Sequence, residues 1–198
     1  MTENTNNTQE AVKIEEPRQS AMLSVLEIVE MFVFIVLLVL LTFTFAARLC
    51  NVNGSSMNNT LKHGEAIVTT NLFYTPKQDD IVVFHQTGEK SYSLNEPVVK
   101  RVIATEGQHV KIQYLEDGTM AIWVDGIKYA DTHAYFDNTR SPLTPQYNFD
   151  YDTETFEATV PSGHIFVMGD NRNNSKDSRS LAIAFVDERR IIGKCITK

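Results

Sequence analysis

Two residue types that can do covalent chemistry together stand in suggestive surroundings. Ser56 lies in Asn53-Gly54-Ser55-Ser56-Met57-Asn58-Asn59-Thr60-Leu61, and Lys100 lies in Val98-Val99-Lys100-Arg101-Val102-Ile103-Ala104. A serine hydroxyl is a weak nucleophile until a base takes its proton, and a lysine can be that base only when its amine is neutral. Burial disfavours the ammonium form and lowers the lysine pKa, so an inward-facing strand lysine is a candidate base. Alternation along a strand puts Lys100 on the same face as Val98 and Val102. Taken by itself the strand favours the plainer alternative, a lysine pointing to solvent from an edge, where it opposes aggregation. Ser56 has a plain alternative too, a Gly/Ser/Asn-rich turn before a strand; as a nucleophile it would have backbone N–H groups around it to hold an oxyanion.

A third segment, Gly169-Asp170-Asn171-Arg172-Asn173-Asn174-Ser175-Lys176-Asp177-Ser178-Arg179, follows an apolar run directly. Its short hydrogen-bonding side chains suit a rigid, internally bonded loop beside a site, although a solvated loop has the same composition. Asp177 and Arg179 can form a charge-assisted pair, and Ser175 can hydrogen-bond a lysine amine.

The elements that must position these groups are mostly strands. Ala66–Thr70, 80–84, 98–104 and 110–114 are short and β-branched with turn residues between them. Glu116-Asp117-Gly118-Thr119 and Asp125-Gly126 read as hairpin turns flanking 121–124 and 127–129. His164–Met168 and 190–197 read as late strands, and helical periodicity outside the apolar segment is confined to 181–185. The soluble part is therefore expected to be mainly antiparallel β, with a less regular excursion away from the core at 134–161, rich in Asp, Thr, Pro and Tyr.

Upstream, residues 31–47 carry no charge, and 21–26 extend the apolar character. Such a length can cross a hydrocarbon core of about 30 Å. A cleaved leader fits less well, because the run is long and Glu27 and Glu30 precede it where positive charge is expected. The organisation predicted is a polar, disordered tail over 1–20, a transmembrane anchor over 21–48 and a catalytic β domain over 49–198. Lys13, Arg18 and Arg48 are too evenly spread about the span to fix its orientation. A formal charge of −7 and a pI near 5.2 argue against a nucleic-acid partner. Cys50 and Cys195 are too few for a disulfide framework, and one bond or two free thiols are both open. Neither cysteine sits in a zinc-ligand pattern, and no metal or cofactor is expected.

In this order the three chemical segments resemble the signature boxes of bacterial type I signal peptidases. Gly54-Ser55-Ser56-Met57 with Thr60-Leu61 resembles the nucleophile box, 80–84 the strand box, Lys100-Arg101-Val102-Ile103-Ala104 the base box, and 169–179 the GDNRxxSxDSR box. The single upstream anchor is similar to the short form of Gram-positive bacteria. The resemblance implies an antiparallel β-sheet, partial-barrel protease domain of the signal peptidase/repressor type. It implies Ser56 as nucleophile and Lys100 as general base, with Ser175 orienting the amine and Asp177 and Arg179 bracing the loop. The Ser56 N–H would serve the oxyanion, and Gly54 stands where some relatives carry a further serine. Cutting after Ala-x-Ala is implied as well, and Met57, Leu61 and Val99 flank the reacting groups as candidate pocket residues. So are signal peptides of secretory preproteins as substrates, membrane lipid and the export machinery as surroundings, and a catalytic domain outside a cytoplasmic N-terminus. One departure is Asn59, where the family usually has proline. Two other readings are a self-cleaving Ser–Lys enzyme of repressor type and a catalytically silent, membrane-tethered binding module.

Overall fold

The computed structural model describes residues 16–45, 47–85, 97–137, 145 and 147–197. It divides into two compact units that part between Thr44 and Phe45.

The first unit is dominated by one helix, α1 (Glu16–Phe45), whose 30 residues extend about 45 Å at 1.5 Å per residue. Within it Met22–Phe43 has a mean hydropathy of 2.7 and buries none of its surface in the protein. A helix this apolar, with none of the residues in that window buried, suits lipid as its solvent. The span starts earlier than residue 31 and takes in Glu27 and Glu30. The helix also begins inside the stretch read as a disordered tail, at Glu16; residues 1–15 of that tail lie outside the described residues.

The second unit is built from twelve strands: β1 (Arg48–Asn51), β2 (Ala66–Thr70), β3 (Ile81–His85), β4 (Pro97–Ala104), β5 (His109–Tyr114), β6 (Met120–Val124), β7 (Ile127–Lys128), β8 (Phe149–Asp150), β9 (Thr155–Thr159), β10 (His164–Met168), β11 (Val186–Asp187) and β12 (Ile191–Cys195). They form a seven-stranded sheet, β1-β2-β12-β3-β4-β10-β11, and a five-stranded sheet, β7-β6-β5-β9-β8, and every strand pairing is antiparallel. The two sheets make the expected partial-barrel fold. β5 and β6 alternate buried and half-buried residues, the mark of strands with one face on a core. That core joins Ile112, Ile122 and Phe156 to Ile103, Phe166 and Met168 of β4 and β10. In β3 and β4 the alternation vanishes, because apolar clusters cover both faces.

Two expectations need correction. The stretch 134–161 does not leave the core throughout: β9 pairs along β5, and Phe156 and Val160 are fully enclosed. Residues 181–185 form turns and not a helix; Ser180 O accepts from the N–H groups of Ile183 and Ala184, but Ala184 adopts a φ of +48°, which ends helical progression. Cys50 and Cys195 are both free thiols.

Candidate active site

The chain leaves β1, turns at Gly54 and places Ser56, half-buried, in a run of turns ending at Leu61. Gly54 has a φ of +99°, a conformation that side chains strain to adopt, so the turn depends on this residue. Met57 and Leu61 are enclosed in an apolar cluster with Val52, Ile67, Ile81 and Val83, which anchors the turn from beneath. Val99 is half-buried against the same cluster. Of the three candidate pocket residues it alone retains substantial exposure.

Lys100 occupies the middle of β4, opposite Val82 of β3. The solvent-facing alternative for this lysine is overturned: the residue is 3% exposed. Its Nζ donates to Ser56 Oγ at 2.8 Å and to Val99 O at 2.9 Å. Burial pushes its pKa down to about 8 against the attraction of Asp177 and Asp170, and the Arg179 charge adds to the lowering. A neutral amine on the same line can accept the serine proton, so the geometry and the protonation state both suit proton abstraction.

The loop 169–179 surrounds this pair. Asn171 N donates to Ser56 O at 3.0 Å, Asn171 Nδ2 to Ser55 O at 3.1 Å and Asn174 Nδ2 to Ser55 Oγ at 2.9 Å. Three hydrogen bonds thus fix the nucleophile turn to the loop. Gly169 makes the approach close enough, since a Cβ there would stand 2.2 Å from Ser175 Oγ and 2.5 Å from Ser56 O. Asp177 and Arg179 are both buried and joined by two hydrogen bonds of 2.8 Å. Arg179 Nη2 also donates to Arg172 O at 2.7 Å, and Asp177 Oδ2 accepts from Gly169 N at 3.1 Å. Burial is the largest single influence on Asp177 and would raise its pKa; the charge and hydrogen bonds of Arg179, with those of Gly169 and Ser175, together outweigh it and hold the carboxyl below its ordinary value.

Ser175 is buried within this loop, but Lys100 bonds Ser56 and Val99 instead of it; the Ser175 hydroxyl bears on Asp177, whose carboxyl it helps to hold low.

Sequence reasoning assigned no role to Arg101, Asp170 or Thr60. Arg101 Nε and Nη2 donate to the two oxygens of Asp170 at 2.8 and 2.7 Å, and Thr60 Oγ1 donates to Asp170 Oδ2. One carboxylate therefore ties together the nucleophile turn, the lysine strand and the polar loop. The available signal was two consecutive cations, Lys100 and Arg101, inside a β-branched strand: they point to opposite faces, so one at least must find a buried partner. Among the described residues no group of three or more His, Cys, Asp or Glu side chains is placed to hold a metal ion.

The family model for signal peptidase, peptidase S26, matches residues 25–198. A probable signal peptidase I-1 from Synechocystis sp. is 34% identical over 159 residues, which cover 77% of this chain and 70% of the relative. A signal peptidase IB from Staphylococcus aureus is 31% identical over 157 residues, covering 72% of each chain. A solved signal peptidase I from Enterococcus faecalis V583 aligns over 61% of this chain and 97% of its own, at 24% identity and a TM-score of 0.41.

Proposed function

From the premise that this chain belongs to the signal peptidases of family S26, and is a serine endopeptidase of the signal peptidase I type, we propose that Ser56 and Lys100 carry its catalysis and that it cuts preproteins after Ala-x-Ala. The observation that supports this reading best is the 2.8 Å contact between Lys100 Nζ and Ser56 Oγ, made by an amine that burial inclines towards neutrality.

Neutral Lys100 accepts the proton of Ser56 Oγ as that oxygen attacks the scissile carbonyl carbon. The tetrahedral oxyanion takes a hydrogen bond from the Ser56 N–H, with no side-chain hydroxyl at Gly54 to add to it. The Lys100 ammonium then gives its proton to the departing amine, leaving an ester between Ser56 and the signal peptide. Water, deprotonated by the regenerated amine, hydrolyses the ester and frees Ser56. The buried Ser175 hydroxyl is the nearby group proposed to steady the amine as its charge appears. Asp177 and Arg179 hold the loop that presents it.

Small residues at −1 and −3 would be selected by shallow pockets. Val99 would form part of a wall, and the enclosed Met57 and Leu61 would limit depth from below. The apolar helix fits a membrane anchor. Its place in this proposal is to keep the catalytic unit on the extracytoplasmic side, with the N-terminus in the cytoplasm, near the exit of exported chains. Restricting enzyme and signal peptide to one bilayer reduces the cost of bringing them together.

The test is cleavage of a model secretory preprotein in liposomes by the full chain beside Ser56→Ala. Cleavage after the Ala-x-Ala site that vanishes in the variant is expected. Equal cleavage by Ser56→Ala would overturn the nucleophile assignment, and no cleavage of several preproteins by folded wild type would overturn the substrate reading.

A further inference from the structure

Residues 129–137 belong to none of the motifs, and sequence reasoning gave Asp131 no role. The segment follows β7 and is pinned to the core near both ends. Tyr129 is buried in the cluster that holds Ile112 and Phe156, and Phe136 packs against the same cluster. Between these anchors the backbone runs beside the polar loop. Tyr135 and Asn171 form a parallel β-bridge, in which Tyr135 N donates to Asp170 O and Tyr135 O accepts from Arg172 N, both at 2.8 Å. Asp137 N donates to Asn173 Oδ1 at 2.9 Å, and Asn173 Nδ2 donates back to Asp137 O at 2.8 Å. These hydrogen bonds join the segment to residues 170–173. The Tyr129 hydroxyl adds a tie towards the lysine strand: it donates to Asp79 Oδ1, and Asp79 O accepts from Arg101 Nη1 at 2.8 Å.

Asp131 supplies the charge contact. Arg172 is fully enclosed, and its Nη2 donates to Asp131 Oδ1. Among the described residues Asp131 is the only carboxylate paired with it. An enclosed guanidinium cannot turn to water for a counter-charge, so this carboxylate fixes where the fork of N–H groups points. The backbone of Arg172 is held as well, its N–H by Tyr135 O and its carbonyl by Arg179 Nη2 at 2.7 Å. With tip and backbone both fixed, the preceding residue has little freedom. That residue is Asn171, whose N–H and Nδ2 hold Ser56 O and Ser55 O.

The pair is a poor device for stability alone. Burial raises the Asp131 pKa above the ordinary aspartate value, and the charge and hydrogen bond of Arg172 offset it only in part. A carboxyl whose pKa is higher folded than unfolded loses stability as pH rises past it, so the ionised group detracts from folding at neutral pH. What it supplies is direction.

Resting on the reading of Ser56 as nucleophile, we propose that Asp131 is a positioning residue for cleavage: it orients Arg172 and, through Asn171, sets where Ser56 stands against Lys100.

The test is preprotein cleavage in liposomes by the full chain, with melting followed by circular dichroism and rates taken where each variant is folded. Asp131→Asn keeps the size of the side chain and removes its charge; kcat should fall about tenfold or more, with KM within a factor of about two. The double variant Asp131→Leu/Arg172→Met replaces the pair by apolar side chains. Its melting temperature should match or exceed that of the wild type. Its kcat should stay as low as that of Asp131→Asn, because apolar contact fills space without fixing direction. A kcat that returns together with the melting temperature would overturn the proposal in favour of a brace that only holds the fold. Should the double variant melt below the wild type, Asp131→Glu gives an independent reading. It retains the carboxylate and should keep kcat severalfold above that of Asp131→Asn; equal losses in the two count against the assignment. Ser56→Ala runs beside them all. Cleavage that survives Ser56→Ala overturns the nucleophile reading and this route to it. Cleavage abolished by Ser56→Ala yet unchanged in Asp131→Asn overturns the positioning role alone.

Discussion

Lys100 and Lys111 both stand inside β-branched strands, one in each sheet, and they have been put to different uses. Lys111 on β5 is 42% exposed at its side chain and pairs with Glu157 of β9 at 2.8 Å. Lys100 on β4 is 3% exposed, and its amine meets a hydroxyl and a carbonyl, neither of which carries charge to hold the proton in place. The two carboxylates that act on it, Asp177 and Asp170, are each engaged by an arginine. The comparison teaches that a strand lysine becomes a base through what covers it. A cross-strand carboxylate makes it a surface ion pair; enclosure without a direct carboxylate favours the neutral amine that the proposed mechanism needs.

The sharpest way to break this contrast is to remove each amine. Lys100→Ala should lower kcat/KM for preprotein cleavage by about four orders of magnitude, whereas Lys111→Ala should stay within a factor of about two. Comparable losses at both positions would remove the distinction.

The next largest effect concerns the ion pairs behind each lysine. Arg179→Ala leaves Asp177 charged and fully enclosed, and urea denaturation should record a loss of about 3–5 kcal/mol. Glu157→Gln, in its exposed pair, should cost less than about 1 kcal/mol. A small loss for Arg179→Ala would mean that the loop has another brace.

Lys100→Met sharpens the comparison from the side of stability. The folded pKa of Lys100, about 8, lies below its ordinary 10.5, so the unfolded chain binds more protons between these values and stability rises with pH across that window. At neutral pH the buried amine is thus a burden, and an inactive Lys100→Met should be more stable than wild type by about 1–3 kcal/mol. The gain should shrink above pH 8 and be largely gone by pH 10.5. A melting-temperature series over pH checks the sign. Lys111→Met, at a side chain 42% exposed, should move stability by less than about 0.5 kcal/mol.

The smallest effect is in the wild type alone: kcat/KM should climb as pH approaches and passes about 8, as the amine loses its proton. A flat profile through that region would argue against a titrating Lys100.

The sequence made the strands around the site readable wherever one face is buried. Ala66–Thr70 and His164–Met168 match their expected bounds, β3 is shifted one residue later at both ends, and β4 starts one residue earlier. β9 was overlooked although Phe156, Ala158 and Val160 alternate with Glu157 and Thr159, because the polar stretch before it masked a short pattern. Ser56 and Lys100 were legible as candidates. The burial of Lys100 was not, since it depends on a turn 44 positions earlier and a loop some seventy positions later. Alternation reports a strand's own faces and is silent on what distant segments lay over them. Asp170 was hidden for the same reason: its partners Thr60 and Arg101 lie 110 and 69 positions away.

That carboxylate also governs when the molecule becomes dangerous. Its two partners come from the beginning and middle of the second unit and the carboxylate itself from nearer the end, so Ser56 and Lys100 are framed only after all three have arrived. A half-finished chain emerging at the membrane has a serine and a lysine but no latch to hold them together. With Ser56 and Lys100 as the proposed reacting pair, completion of the fold would act as the safety catch, because the contacts that frame the site form only in the finished chain.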